Sequence, residues 1–170
     1  FVKKSISKNK SNCKIFLYEV ENPSSYGVAV LNKNKNKIEK IVEKPSKYIS
    51  NFAVTGLYYF DNRSINFAKR LKKSKRGEFE IIDLINIYKK INNLSFYILE
   101  RGIFWIDSGK VNNIFKASQM IELIQNRNKN KIACIEEICF NEKLINKNQL
   151  KKLAKKMPDC DYSRYLLTIK

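Results

Sequence analysis

The sequence predicts an α/β fold built around a mixed sheet, and three observations carry that reading. Apolar runs of strand length recur along the chain, at Lys14 to Val20, Phe52 to Phe60 and Leu94 to Leu99. Between and after them lie stretches with apolar residues at helical spacing, chiefly Glu78 to Ile91 and Lys110 to Asn126. Clusters of Asn, Lys, Ser and Pro separate the two kinds of segment, as strand–helix alternation around one sheet requires.

In chain order, Lys14 to Val20 reads as a buried strand that ends at the Pro23-Ser24-Ser25 punctuation. Tyr26 to Leu31 and Ile38 to Glu43 read as a hairpin across the polar turn Asn32 to Lys37. Gly27 stands just inside its strand, where a missing side chain marks a bulge, a close approach by a ligand or a simple adjustment of twist. Phe52 to Phe60, too apolar for a solvent-facing strand, reads as central and has Gly56 in its interior. Asp61 or Ser64 can cap a short helix through Leu71, and a basic loop, Lys72 to Gly77, leads into the Glu78 to Ile91 helix with Ile81, Ile85 and Tyr88 on one face. After the Leu94 strand, the Arg101-Gly102 turn feeds a short strand at Phe104 to Ile106, and a long helix follows from Lys110. A strand-like Ile132 to Ile135, a helical turn at Glu136 to Phe140 and two small helices, Gln149 to Lys156 and Tyr162 to Leu167, complete the pattern.

Composition narrows the function classes. With 170 residues the chain suffices for one domain with its own core, or for a large piece of a bigger one. The net charge of +18 invites a nucleic-acid reading, yet the cations are overwhelmingly lysine, interleaved with Asn and Ile along the whole chain. Nucleic-acid readers concentrate charge on one face and use Arg for bidentate contacts, so the composition reads instead as a general drift toward Lys, Asn and Ile. The four cysteines have no Cys-x-x-Cys spacing and there is no histidine, which disfavours a zinc site and removes imidazole acid–base chemistry. Reduced thiols in a cytoplasmic protein are the expectation.

Chemistry concentrates in Ile41 to Phe60, where a strand stops on Glu43, Lys44 and Pro45. A carboxylate can read hydroxyls and the neighbouring ammonium can read an anion, a pairing suited to a sugar phosphate. Arg76, before a glycine and an acid-rich helix start, is the second candidate anion reader. Asp107, at the end of a predicted strand and followed by Ser108 and Gly109, is a candidate Mg²⁺ ligand or a helix cap. As single residues, Lys44 and Arg76 also fit solvated surface cations, Glu43 also fits an ion-pair partner of Lys44, and Trp105 reads more readily as core than as site.

Taken in order, Tyr26-Gly27-Val28, Glu43-Lys44-Pro45, Asn51 to Asp61, Arg76-Gly77-Glu78, Glu80 to Asp83, Arg101-Gly102 and Trp105 to Gly109 resemble the glucose-1-phosphate thymidylyltransferases. The resemblance runs from about Lys14 to the chain end. It implies a Rossmann-like nucleotidyltransferase fold with C-terminal helices, residues 1–126 forming the sugar-phosphate-binding part and 127–170 a helical extension. It implies dTDP-glucose and pyrophosphate made from dTTP and glucose 1-phosphate with Mg²⁺, at the start of dTDP-rhamnose and other deoxysugar synthesis, by a cytoplasmic homo-oligomer that is a tetramer in the family. Tyr26, Gly27, Glu43, Val54 and Trp105 match sugar-pocket positions, Lys44 and Arg76 the groups that hold the phosphate, and Asp107 one of two metal aspartates. The family's Gly-rich phosphate loop and its other metal aspartate are matched nowhere in the chain, which is expected to be the C-terminal part of an enzyme and inactive alone. A UTP-using sugar-1-phosphate uridylyltransferase and a non-catalytic sugar-phosphate-binding module are the alternatives. At Asn141 the resemblance implies an arginine near a regulatory nucleotide site.

Overall fold

The computed structural model describes residues 12–109 and 111–170. They form two compact units, divided between Trp105 and Ile106.

The first unit is a five-stranded mixed sheet with helices on it. Its strands are β1 (Cys13–Glu19), β2 (Gly27–Leu31), β3 (Ile38–Glu43), β4 (Phe52–Phe60) and β5 (Leu94–Ile98), in the order β3-β2-β4-β1-β5. Only β1 and β5 run parallel; the other neighbours are antiparallel. Helix α1 (Arg63–Ala68) and helix α2 (Ile81–Lys90) connect β4 to β5. Alternate residues of β1, namely Cys13, Ile15 and Leu17, share a core with Ile82, Leu84, Ile85 and Tyr88 of α2, as the two-residue period of a strand against the 3.6-residue period of a helix requires. β4 is central in order, as predicted, but only its first half is buried, and Leu57 and Tyr59 face solvent.

A bulge explains the glycine inside β4. Ile15 pairs with Tyr58 and Leu17 with Val54, so two steps on β1 are matched by four on β4. Gly56 absorbs the detour at φ 81°, a conformation costly for any residue with a Cβ. The Thr55 hydroxyl donates to the Phe16 carbonyl, and the Thr55 carbonyl is left to accept from the Trp105 indole N–H at 3.0 Å.

The second unit holds α3 (Val111–Asn128), α4 (Ile135–Asn141), α5 (Lys147–Lys156) and α6 (Asp161–Thr168). Its core is Cys134, Leu150, Ala154 and Leu166, with Phe140, Tyr162 and Tyr165 packed around them. Asn146 and Gln149 form a reciprocal capping box that starts α5.

Four sequence expectations are corrected. The α2 helix begins at Ile81 rather than Glu78, so Ile81 is partly exposed and Ile82 and Leu84 take the core positions. Helix α1 stops at Ala68, short of Leu71. No strand forms at Phe104 to Ile106. Ile132 to Ile135 is not a strand either, because Ala133 adopts φ 56° and Cys134 becomes the N-cap of α4. The expected start of the long helix at Lys110 lies outside the described residues. All four cysteines are free thiols. Among the described residues no helix is long and apolar enough to cross a membrane.

Candidate sugar-phosphate site

The end of the β2–β3 hairpin gathers most of the residues singled out by the sequence. Gly27, the first residue of β2, is the register partner of Glu43, the last residue of β3. Continuing the β2–β4 register, in which Val28 faces Ala53, one step brings Val54 beside Gly27. Gly27 is a close-approach glycine, not a bulge: a Cβ there would stand 2.7 Å from Ile82 Cδ1 and 3.1 Å from Glu43 Oε2. The missing side chain is therefore what lets the Glu43 carboxylate and the start of α2 occupy the same corner.

Immediately after Glu43 the chain turns at Lys44, whose φ of 40° lies in the left-handed region. For a residue with a side chain that conformation costs roughly 1–3 kcal/mol. The Lys44 N–H still donates to the Tyr26 carbonyl at 3.0 Å, extending the hairpin by one bond. Its side chain is exposed. Tyr26 in turn meets Trp105 edge to face, with ring centroids 5.1 Å apart. Trp105 is half-buried and outside the core cluster, so the expectation that it belongs to the core is corrected; its indole is fixed by the Thr55 carbonyl of the β4 bulge and flanked by Tyr18.

Arg76 reaches this corner from the loop before α2. Its guanidinium meets three carboxylates: Nη1 lies 3.7 Å from Glu43 Oε1 and 3.4 Å from Glu80 Oε1, and Nη2 lies 2.9 Å from Glu78 Oε2. These partners are unequal. Glu78 is an exposed carboxylate, and such pairs contribute roughly 0.2–1 kcal/mol. Glu80 is 9% exposed and also accepts from the Ser74 hydroxyl at 2.8 Å. Burial pushes the Glu43 carboxyl above its ordinary value, nearby Glu80 adds to the push, and Lys44 and Arg76 pull against it. The corner thus holds two cations and three acids, and an arriving dianion must share Arg76 with carboxylates already on it.

Ser74, Glu78 and Glu80 acquire this importance only in the structure. The signal was available locally, since acids two and four residues after Arg76 sit where a turn or first helical turn folds them back on it. Glu43 could not be added that way, because it is distant in sequence and arrives through the sheet.

Asp107 falls in the second unit. Its carboxylate accepts from the Gly109 N–H at 3.2 Å, and its carbonyl accepts from the Asn113 side chain at 2.8 Å. Among the described residues no group of three or more acids or cysteines is placed to hold a metal ion.

The chain thus combines a mixed-sheet α/β unit, carrying a Glu-Lys-Pro corner backed by an arginine loop, with a unit of C-terminal helices. The family model described as nucleotidyl transferase matches residues 1–123, and the chain belongs to that family. It is 41% identical over 155 residues to a glucose-1-phosphate thymidylyltransferase of Neisseria meningitidis serogroup A, covering 91% of this chain and 54% of that protein. The same-named protein of Xanthomonas campestris pv. campestris is 40% identical over 155 residues, covering 91% and 52%. A crystal structure of a Bacillus anthracis protein assigned as a glucose-1-phosphate thymidylyltransferase, in complex with a sucrose, superposes with a TM-score of 0.61 at 33% identity, covering 70% of this chain and 47% of that one. The chain spans about half the length of the curated relatives it matches.

Proposed function

We propose that this chain supplies the sugar-phosphate half of an enzyme that joins glucose 1-phosphate to the α-phosphorus of dTTP, giving dTDP-glucose and pyrophosphate. The observation that carries the proposal is the corner itself: Gly27 facing Glu43, Lys44 held in a left-handed turn by Tyr26, and Arg76 reaching the same carboxylate. The left-handed turn sets Lys44 directly after Glu43 with its side chain exposed, and the role proposed for it is that of its charge. Glu43 accepts from sugar hydroxyls, Tyr26 and Trp105 offer an aromatic wall, Val54 and Gly27 offer backbone beside them, and Lys44 and Arg76 take the phosphate.

An oxygen of the sugar phosphate is the nucleophile and pyrophosphate is the leaving group. That oxygen is ionised at neutral pH, the second phosphate pKa being about 6, so no strong base is needed, in keeping with a chain that has no histidine. The residues of the corner then act by orienting the nucleophile and by balancing its charge. Asp107 is proposed as one carboxylate ligand of Mg²⁺, which when bound would polarise the phosphate oxygens.

The five glycines, at 27, 56, 77, 102 and 109, are dispersed and form no phosphate loop. The 170-residue chain is accordingly proposed to bind glucose 1-phosphate without turnover. Calorimetric titration of glucose 1-phosphate should give saturable binding in the wild type and none in Lys44→Ala. Equal binding by the two would remove the proposal, and pyrophosphate release from dTTP by this chain alone would contradict the division of labour.

A further inference from the structure

We infer that Ser74 and Glu80 are positioning residues that hold the Arg76 guanidinium by Nη1 and leave Nη2 for a phosphate oxygen, an inference that rests on Arg76 being a phosphate reader. The loop before α2 is closed around Ser74. Its N–H donates to the Glu78 carbonyl at 2.8 Å, and its carbonyl accepts from the Gly77 N–H at 2.9 Å. Its hydroxyl accepts from the Arg76 backbone N–H at 3.2 Å and donates to Glu80 Oε1 at 2.8 Å. A serine hydroxyl has one proton to give, so Ser74 spends it on Glu80 while the same oxygen anchors the arginine's own backbone. Arg76 is thereby fixed at two places by one side chain, through its backbone and, by way of Glu80, through its head group.

The two terminal nitrogens of Arg76 then differ in kind. Nη1 faces Glu80, which is buried and pinned by Ser74, and Glu43, which is partly buried at the end of β3. Withdrawing the guanidinium from both would leave two carboxylates without their shared cation in a partly desolvated corner, where Glu80 already raises the proton affinity of Glu43. Nη2 faces Glu78 alone among the described residues, and that side chain is 61% exposed. A phosphate carries more charge and more acceptor oxygens than that carboxylate and binds arginine in the same planar manner. Glu78 is therefore the partner that yields, and the Nη2 side is where the sugar phosphate enters.

The consequence is a pair of opposite signs on one arginine, read by calorimetric titration of glucose 1-phosphate into the 170-residue chain. Ser74→Ala and Glu80→Gln should each weaken binding roughly tenfold, the scale of one hydrogen bond to a charged group. Ser74→Thr, which keeps the hydroxyl, should bind as the wild type does. Glu78→Gln should tighten binding about two- to fivefold, since a competing exposed pair is removed. In an Arg76→Ala background Ser74→Ala should cause no further loss, whereas a Ser74 that merely supports the fold would add its loss independently. Weakened binding in Glu78→Gln, additive losses, equal loss in Ser74→Thr and Ser74→Ala, or wild-type affinity in Ser74→Ala while Arg76→Ala binds poorly would each overturn the positioning role and leave the sugar-phosphate reading intact. Wild-type affinity in Arg76→Ala would remove Arg76 from phosphate binding and this inference with it. Absence of saturable binding by the wild type would sink both readings.

Discussion

The two units of this chain solve the same problem with different reserves. In the first, twelve buried residues from four strands and α2 form one cluster, so each strand is held by several others. In the second, the buried centre is four residues, Cys134, Leu150, Ala154 and Leu166, and α3 buries none of its own side chains. Val111, Phe115 and Leu144 of the second unit stay exposed. Both units also use a tyrosine hydroxyl to bind a carboxylate across elements: Tyr88 to Asp61 in the first, Tyr162 to Glu136 and Tyr165 to Glu137 in the second. The difference teaches where stability can be spared for function. Left-handed backbone occurs in both units, at Lys35, Lys44 and Asn92 in the first and at Lys129, Ala133 and Lys143 in the second, so what sets the first unit apart is the crowd of carboxylates around Arg76, which its larger core can carry.

The sharpest way to break that comparison is to remove one core side chain from each unit. Leu150→Ala and Ile85→Ala each delete a fully buried aliphatic group, and each should cost about 2–5 kcal/mol. In the helical unit this removes one of four core residues, and amide hydrogen exchange should show α5 and α6 opening while β1 and β4 remain protected. Equal loss of protection in both units after Leu150→Ala would show that they unfold together.

Next in size is Gly27→Ala. The new methyl group would sit 2.7 Å from Ile82 Cδ1 and 3.1 Å from a carboxylate oxygen of Glu43. Overpacking of this kind costs about 1–3 kcal/mol. Because the strain falls on the candidate site, thermal denaturation should show the loss of stability together with weaker binding of glucose 1-phosphate; loss of stability with unchanged binding would separate Gly27 from the site.

Lys44→Gly tests the trade directly. Glycine accepts φ 40° freely, so the variant should be more stable by about 1 kcal/mol, while losing saturable glucose 1-phosphate binding. A variant that is less stable and still binds would deny that strain is held there for the lysine's charge.

Much of this contrast was legible in the sequence. The strands from Cys13 to Ile98 announce themselves by apolar runs and polar turns, whereas Glu43, Lys44 and Gly27 each also fit a structural role taken singly and stand out only through their order along the chain. The Asn146 to Gln149 capping box went unread, since the helix was expected from Gln149 and starts at Lys147. What could not be read is whatever depends on register. The two-residue detour around Gly56 decides which carbonyl meets Trp105, and neither β4 nor the Phe104 region reveals it alone. The Phe104 to Ile106 segment looked like a strand because apolar residues bracket Trp105, yet the tryptophan's bond to β4 is made by its side chain and the backbone pairs with nothing regular. Of the three acids on Arg76, Glu43 was hidden for the same reason, since it joins the locally placed Glu78 and Glu80 only when the sheet closes.

The smallest expected effect is in acid, and its sign distinguishes two carboxylates of the first unit. Burial pushes the Asp61 carboxyl upward, but hydrogen bonds from Tyr88, Asn12 and Arg63 outweigh it and bring it down to about 2. A carboxyl depressed in the folded state stabilises the fold above its unfolded value, near 3.8, and that contribution is lost as pH falls toward 2. Glu43 runs the other way: raised by burial and by Glu80, it favours the fold most when protonated, and its contribution is lost as pH rises through its folded-state value. Denaturant melts from pH 2 to pH 6 should therefore show the Asp61→Asn protein losing less stability than the wild type on acidification below pH 4. In the Glu43→Gln protein the loss should be steeper, because the relief that protonating Glu43 gives the wild type in acid is gone. Both changes should appear in the protection of β1, β4 and α2, with α5 and α6 following the wild-type acid profile, since Asp61 ties the end of β4 to Asn12 and Tyr88 within the first unit. An Asp61→Asn acid limb that matches the wild type would mean that the Tyr88 bond is neutral in its effect and that the first unit's larger core alone sets its stability.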